Sequence, residues 1–104
     1  MRAETLKGHL DALVLAVLAD EPQHGYAVIE ALRDRSEGAF ELAEGTLYPV
    51  LHRLEDDGLL SSAWSDAAGR RRRVYRLTRR GRSALARGRE EWSSFARAVD
   101  AVLA

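Results

Sequence analysis

The stretch at residues 44–60, EGTLYPVLHRLEDDGLL, constrains the fold of this chain more than any other. One apolar stripe recurs there at helical spacing: Leu47, Val50, Leu51 and Leu54. Gly58 stands where a left-handed C-cap would end the helix, and Leu59 can pack back on it. The pattern predicts a helix that is anchored on one side and leaves its other side open for contacts.

The open side of this helix carries small and hydrogen-bonding residues near its N-terminus. Gly45, Pro49 and His52 lie at the centre of that side, with Thr46, Tyr48 and Arg53 on its flanks. Such a surface is typical of a helix that enters a DNA major groove, although an ordinary core helix is the alternative. Arg53 can contact DNA or pair with Asp56 or Asp57. Pro49 falls in the first turn if Thr46 is the N-cap, and an earlier start bends the helix.

The composition predicts one folded domain with no catalytic or metal chemistry. The chain has 104 residues, of which 46% are hydrophobic and 31% charged, and no cysteine. No apolar run is long enough to cross a membrane and no signal peptide opens the chain, so we expect a cytoplasmic protein. The three histidines lie in different elements without metal-ligand spacing. Without a nucleophile–base pair or a phosphate loop either, we expect no cofactor, no metal and no enzyme activity.

Charge is divided unevenly along the chain. Residues 1–69 hold five basic and thirteen acidic side chains, whereas residues 70–104 hold eleven arginines and three acids. The two parts therefore carry net charges of −8 and +8, which a total of zero conceals. Because the positive charge is concentrated in this way, the neutral total does not argue against a nucleic-acid partner.

The elements follow the order α-α-α-β-β-α, a mostly α fold with a small β-hairpin. Helices are predicted over 8–19, from residue 25 and over 79–104, besides the helix already described. Strands are predicted over 59–65 and 73–78 around a turn at 66–69, with a further short strand at 40–42. A hairpin directly after a helix-turn-helix is a wing. We therefore expect a DNA-binding domain over residues 1–78 and a dimerisation helix over residues 79–104.

Two helices carry more apolar surface than one small domain needs. The first is apolar nearly all round, with Leu10 and Val14 on its main face, which suggests a partner subunit as well as the core. The last carries a heptad-like seam: Leu85, Trp92, Phe95, Val99 and Val102. The seam forms a dimer interface or packs back on its own core. Its aromatic rings could line a chamber for a planar ligand, or a dry seam.

The hairpin and the second helix supply further candidate DNA contacts. The wing tip carries Arg70, Arg71, Arg72 and Arg73, of which alternation would send half to each side. A solvated charge run is the alternative. Lys7 and His24 are predicted to reach phosphates near the start of the second helix. We expect Tyr26 to be a core residue and Trp64 to pack locally.

Three blocks together resemble the PadR family of transcriptional regulators. They are His24-Gly25-Tyr26, GTLYPVLHRLEDDGLL from Gly45, and GRRRRVYRLTRRGRSAL from Gly69. The resemblance implies a winged helix-turn-helix that acts as a homodimer through its last and first helices, usually as a repressor of transcription. Many members of the family respond to small aromatic or cationic compounds bound near the dimer interface.

The resemblance therefore predicts a ligand-responsive repressor whose dimer binds an inverted-repeat operator in double-stranded DNA. One departure is that Ala43-Glu44 replaces a common Ser-Pro, which removes an N-cap oxygen worth ~1 kcal/mol. Glu44 also places an acid near the DNA backbone. The alternatives are a winged-helix protein-interaction module without specific DNA binding, and a protein that binds DNA without sequence preference.

Overall fold

The computed structural model describes Leu6 and residues 8–104. From Leu10 onwards the elements follow in the order α1 (Leu10–Asp20), β1 (Gln23–His24), α2 (Gly25–Arg35), α3 (Glu44–Asp56), β2 (Leu60–Ser65), β3 (Arg72–Leu77) and α4 (Arg79–Leu103), with one turn of 3-10 helix at Ala67–Gly69 between β2 and β3. The strands form an antiparallel sheet in the order β1-β3-β2, and the β2–β3 hairpin is the wing. The predicted fold, mostly α with a small hairpin arranged as a winged helix-turn-helix, is confirmed.

The core lies between α1, α2, α3 and the base of the sheet. Its most deeply buried side chains include Leu18, Val28, Leu47, Leu51, Leu54 and Tyr75. The stripe predicted for α3 is therefore its buried face. Val14 is also fully buried at 0% exposure, so its predicted place in a dimer or ligand contact is wrong. It faces its own core because α1 packs against α2, α3, α4 and β3 within one chain.

The helix α3 begins earlier than a Thr46 cap would require. Its N-cap is Ala43, which makes no side-chain capping hydrogen bond, so Pro49 lies within the helix. The far end closes in a Schellman motif around Gly58, whose φ is 80°. The N–H of Leu59 donates to the carbonyl of Leu54 and that of Gly58 to Glu55, both at 2.9 Å. The predicted C-cap is confirmed.

The sheet differs from the prediction in one strand. Residues 40–42 form no strand; Leu42 is buried against the core and the backbone there pairs with no sheet edge. The third strand is instead β1, whose Gln23 and His24 pair with Tyr75 and Val74 of β3. A strand of two residues is too short to show the alternation by which strands are recognised.

A tight junction joins the wing to α4. Thr78 caps α4 by accepting a hydrogen bond from the N–H of Gly81 at 3.0 Å, and its hydroxyl donates to the carbonyl of Gly58 at 2.7 Å. Gly81 is buried so closely that a Cβ there would lie 2.1 Å from the Leu59 carbonyl oxygen. The junction thus fixes the start of α4 against the end of α3. Within the described part of the chain, no helix has the length and hydrophobicity needed to span a membrane.

Candidate nucleic-acid interface

The open side of α3 is on the surface, as the sequence predicts. Gly45, Pro49 and His52 are exposed, and Thr46 is half-buried on the flank. No atom lies within 4 Å of the position of a Cβ on Gly45. The buried stripe therefore holds α3 while small and hydrogen-bonding groups project outward.

Tyr48 lies against the N-terminus of α2 because residue 25 is a glycine. A Cβ at Gly25 would lie 2.6 Å from Tyr48 Cε1 and 2.7 Å from its hydroxyl oxygen. The ring of Tyr48 also lies 6.5 Å from that of His52, centroid to centroid. The His24-Gly25-Tyr26 block thus has a packing role: its glycine makes room for the tyrosine of α3.

A cleft separates the N-terminal part of α3 from the wing, and we name it the wing cleft. Its volume is about 530 Å³, and it is lined by His24, Gly25, Tyr26, Glu44, Tyr48, Trp64 and the four wing arginines Arg70, Arg71, Arg72 and Arg73. Four cations and one carboxylate line it, so the cleft attracts a polyanion. Its aromatic rings add flat surfaces on which sugars or bases can pack.

The wing arginines divide into two sets, as strand alternation predicts. Arg72 Nη1 lies 3.4 Å from His24 Nε2 on β1. Arg71 and Arg73 lie over the indole of Trp64 instead, with Cζ atoms 4.8 and 5.4 Å from the ring centroid. Arg71, Arg72 and Arg73 are therefore held by different neighbours and do not form one solvated run.

A hydrogen-bonded chain connects the wing with α3. Arg73 Nε donates to the Ser62 hydroxyl at 2.7 Å, and that hydroxyl donates to the carboxylate of Glu55 at 2.6 Å. Glu55 lies on α3, Ser62 on β2 and Arg73 on β3. These two hydrogen bonds fix the inner face of the wing relative to α3.

The imidazole of His24 borders the wing cleft beside Arg72. Partial burial, and then the positive charge of Arg72, lower the pKa of His24 below its ordinary value, while Glu30 opposes them. Both effects favour the neutral imidazole in the free protein. A phosphate entering the cleft would favour the protonated ring and raise that pKa.

Arg53 is engaged by a residue that the sequence did not indicate. Its Nη2 and Nη1 donate to the two carboxylate oxygens of Asp11 on α1 at 2.6 and 3.0 Å, and Asp57 lies 4.0 Å away. The hydrogen bond with Asp11 raises the pKa of Arg53. Asp57 was one of the two partners predicted for Arg53, whereas the stronger pair joins α3 to α1.

Tyr26 lies elsewhere than expected, whereas Trp64 packs locally within the hairpin, as the sequence predicts. Tyr26, predicted to be a core residue, is 51% exposed, because it lies on the flank of α2 beside the buried face formed by Val28, Ile29 and Leu32. Trp64 is 55% exposed and packs on arginines. The pairing of Trp64 with Arg73 across the hairpin is the sequence feature from which this contact with arginine could have been predicted. Lys7, a predicted phosphate contact, lies outside the described residues.

The outer half of α4 projects an apolar surface. Trp92 and Phe95 are each 54% exposed and Val102 is 83% exposed, while Val99 is half-buried. The rings of Trp92 and Phe95 lie 5.3 and 6.1 Å from that of His9, at the start of α1. Leu10 is half-buried against the core. Of the residues predicted for a dimer or ligand contact, all but Val14 retain accessible surface.

Comparison with known proteins places this geometry in a family. The model of the transcriptional regulator PadR-like family matches residues 14–87. Transcriptional regulator Rv3488 of Mycobacterium tuberculosis is 44% identical over 86 residues, which cover 83% of this chain and 78% of that protein. An uncharacterised protein of Lysinibacillus sphaericus is 29% identical over 101 residues, covering 96% of this chain and 93% of its own length.

Solved structures of transcriptional regulators superpose on nearly the whole of this chain. A transcriptional regulator from Clostridium thermocellum superposes with a TM-score of 0.87 at 26% identity, covering 94% of this chain and 96% of that one. A PadR family transcriptional regulator from Eggerthella lenta gives a TM-score of 0.84 at 35% identity, covering 96% and 86%. The similarity therefore includes α4 as well as the winged domain.

Proposed function

Because the chain belongs to the PadR-like family of transcriptional regulators, we propose that it binds an operator in double-stranded DNA sequence-specifically and as a homodimer. The family consists of DNA-binding regulators, so the chain is a regulator of transcription and not an enzyme. Specific recognition, the dimer and the sign of regulation are the parts that we propose.

The wing cleft is the observation that carries this proposal. It brings four arginines of the wing beside Tyr48, on the N-terminal part of α3. In the proposed complex, the open side of α3 enters the major groove, where Thr46, Tyr48 and His52 face base edges and phosphates. Gly45 and Pro49 allow close approach of the backbone. The wing arginines then follow the flanking phosphates or the minor groove.

A homodimer would place two DNA-binding domains, which we call its heads, on each operator. We assign DNA binding to residues 1–78 and dimerisation to residues 79–104, because α4 leaves Trp92, Phe95 and Val102 largely exposed. Pairing of two α4 helices would cover these side chains. A two-fold dimer places its heads on half-sites one helical turn apart, so the operator is an inverted repeat.

We further propose that the protein represses transcription in the cytoplasm by occupying a promoter. A small aromatic or cationic effector between the α4 helices would release it by changing the separation of the two heads. The exposed Trp92 and Phe95 are the rings available for such a compound. This part of the proposal follows the family resemblance, and a dry seam is its alternative.

The test replaces Arg71 and Arg72 with alanine and measures affinity for the operator at several salt concentrations. The matched control is Arg87→Ala/Arg89→Ala, which removes the same charge from exposed positions of α4 outside the wing cleft. The wing variant should bind all DNA more weakly, and its salt slope should become shallower by about 0.9 for each phosphate that it no longer neutralises.

Unchanged affinity and salt slope in the wing variant would remove the wing from the interface. An equal loss in the control would mean that overall charge, and not the wing cleft, drives binding. If the wild-type protein bound no DNA at low salt, a protein partner would become the better account, and Glu44 in the cleft is the feature that favours it.

A further inference from the structure

Trp64 occupies a position in the wing that burial in the core does not explain. It is 55% exposed near the end of β2, directly opposite Arg73 on β3. Among the described residues, none accepts a hydrogen bond from its indole nitrogen. A large aromatic side chain that contributes little to a core and stands in a charged cleft points to a role in that cleft.

Two guanidinium groups converge on this one indole. The Cζ atoms of Arg71 and Arg73 lie within the distance at which a cation is attracted by an aromatic face. Arg73 is fixed further by its hydrogen bond to Ser62, whereas Arg71 has the indole as its described partner. Without the ring, Arg71 would move among many rotamers and be repelled by its neighbours.

We propose that Trp64 is a positioning residue of the DNA interface, whose indole holds the guanidinium groups of Arg71 and Arg73 in place for DNA phosphates. This inference rests on the proposed function and deepens it. Arg71 and Arg73 approach DNA already ordered, so less side-chain entropy is lost on binding. Arg72 is held separately by His24 and does not depend on the indole.

The experiment compares Trp64→Phe and Trp64→Leu with the wild type in operator titrations. Phenylalanine keeps an aromatic face, whereas leucine keeps apolar volume without one. Trp64→Leu should weaken binding about 3- to 10-fold, and Trp64→Phe should recover most of that loss. The thermal unfolding midpoints of both variants should stay close to that of the wild type, since the side chain is more than half exposed.

A second arm separates positioning from direct contact. In an Arg71→Ala/Arg73→Ala background, Trp64→Leu should cause no further loss of affinity, because the groups that it positions are gone. The same fold reduction in both backgrounds would show that the indole binds DNA on its own and would overturn the positioning role. Equal affinity of Trp64→Leu and the wild type would overturn it as well.

A spectroscopic readout completes the test. The chain has two tryptophans, so the difference between the emission of the wild type and that of Trp64→Phe reports on Trp64. Its emission should change on adding operator DNA, and an unchanged spectrum at saturation would contradict a place in the interface. A wild-type protein that binds no DNA would overturn the proposed function and this inference together, whereas normal wild-type binding with an unimpaired Trp64→Leu overturns the inference alone.

Discussion

At the scale of single residues, the N-terminus of α2 determines how α3 presents its tyrosine. Gly25 has no side chain, and the Tyr48 ring fills the space that a Cβ would need. The preceding residue, His24, pairs through its backbone with β3 and through its side chain with Arg72. One short block therefore contacts both the helix and the wing that border the cleft.

His24 should make DNA binding depend on pH. Burial and Arg72 hold its pKa below the ordinary value in the free protein, and nearby phosphates would raise it in the complex. Since DNA then favours the protonated ring, affinity should rise as pH falls through the range between those two pKa values. Operator titrations from pH 7.5 to 5.5 check this, and the His24→Gln variant should lose most of the change. A variant with undiminished pH dependence would contradict it.

The same depressed pKa has a consequence for folding. An unfolded chain protonates His24 more readily than the folded one, so acid favours unfolding at this site. Its effect on stability is absent above the unfolded pKa of about 6.5 and grows as pH falls below it. Acid therefore strengthens DNA binding at His24 while it weakens the fold.

Residues on the strongly periodic α3 could be placed from sequence, whereas side chains at element ends could not. The buried stripe and the open side of α3 follow from helical spacing alone. Tyr26 was predicted to be a core residue, but it lies on the flank of α2, where the helical repeat of apolar residues does not determine whether a side chain is buried. The Asp11–Arg53 pair joins residues 42 positions apart, and no local pattern indicates such a contact.

At the scale of elements, the junction between β3 and α4 determines how the last helix leaves the domain. Thr78 caps α4 and also binds the carbonyl of Gly58, so one side chain connects the end of α3 and the start of α4. Gly81 allows the first turn of α4 to lie against the backbone of Leu59. The orientation of α4 relative to α3 is thus set by backbone contacts.

Substitution at Gly81 should therefore be costly. Gly81→Ala would place a Cβ 2.1 Å from the Leu59 carbonyl oxygen, and separating the two backbones should cost about 1–3 kcal/mol of unfolding free energy. Gly45→Ala is the matched control, because its Cβ would meet no atom within 4 Å. That variant should be neutral or up to ~1 kcal/mol more stable. Urea denaturation measures both, and equal stabilities would contradict the close packing.

Long elements could be predicted from the sequence because they contain several repeats of their hydrophobic pattern, whereas short elements could not. α3 and the hairpin have enough residues to show their repeats, and the Schellman glycine marks the end of α3. The two residues of β1 show no repeat, and their pairing depends on β3, which lies about 50 positions further along the chain. Residues 40–42 alternate like a strand, but Leu42 packs on the core without a backbone partner.

At the scale of the whole molecule, α4 extends well beyond the winged domain. The chain measures 52 × 28 × 20 Å, and the 25 residues of α4 alone span about 37 Å. Its first half packs on the core through Leu85, while its second half leaves Val102 and Leu103 about four-fifths exposed. The outer half of the seam predicted on α4 is therefore open to solvent in the single chain.

The proposed dimer predicts a specific response to charge in this seam. Val102→Glu should leave the monomer folded, because the side chain is 83% exposed, and should separate the dimer, because a carboxylate would be buried between apolar helices. Arg97→Glu, on the opposite side of α4, is the control and should stay dimeric. Analytical ultracentrifugation gives the masses. A Val102→Glu dimer, or a monomeric wild type, would contradict the assignment.

The proposed function requires that this chain recognise a specific DNA sequence through the wing cleft and the open side of α3. Its most direct test titrates the purified protein against labelled DNA from upstream of its own gene, with a scrambled duplex of the same composition as control, at several salt concentrations. Specific recognition predicts binding to the upstream DNA at least ~10³-fold tighter than to the scrambled duplex, with an affinity that falls steeply as salt rises. Equal weak binding to both duplexes, or no binding to either at low salt, would contradict it.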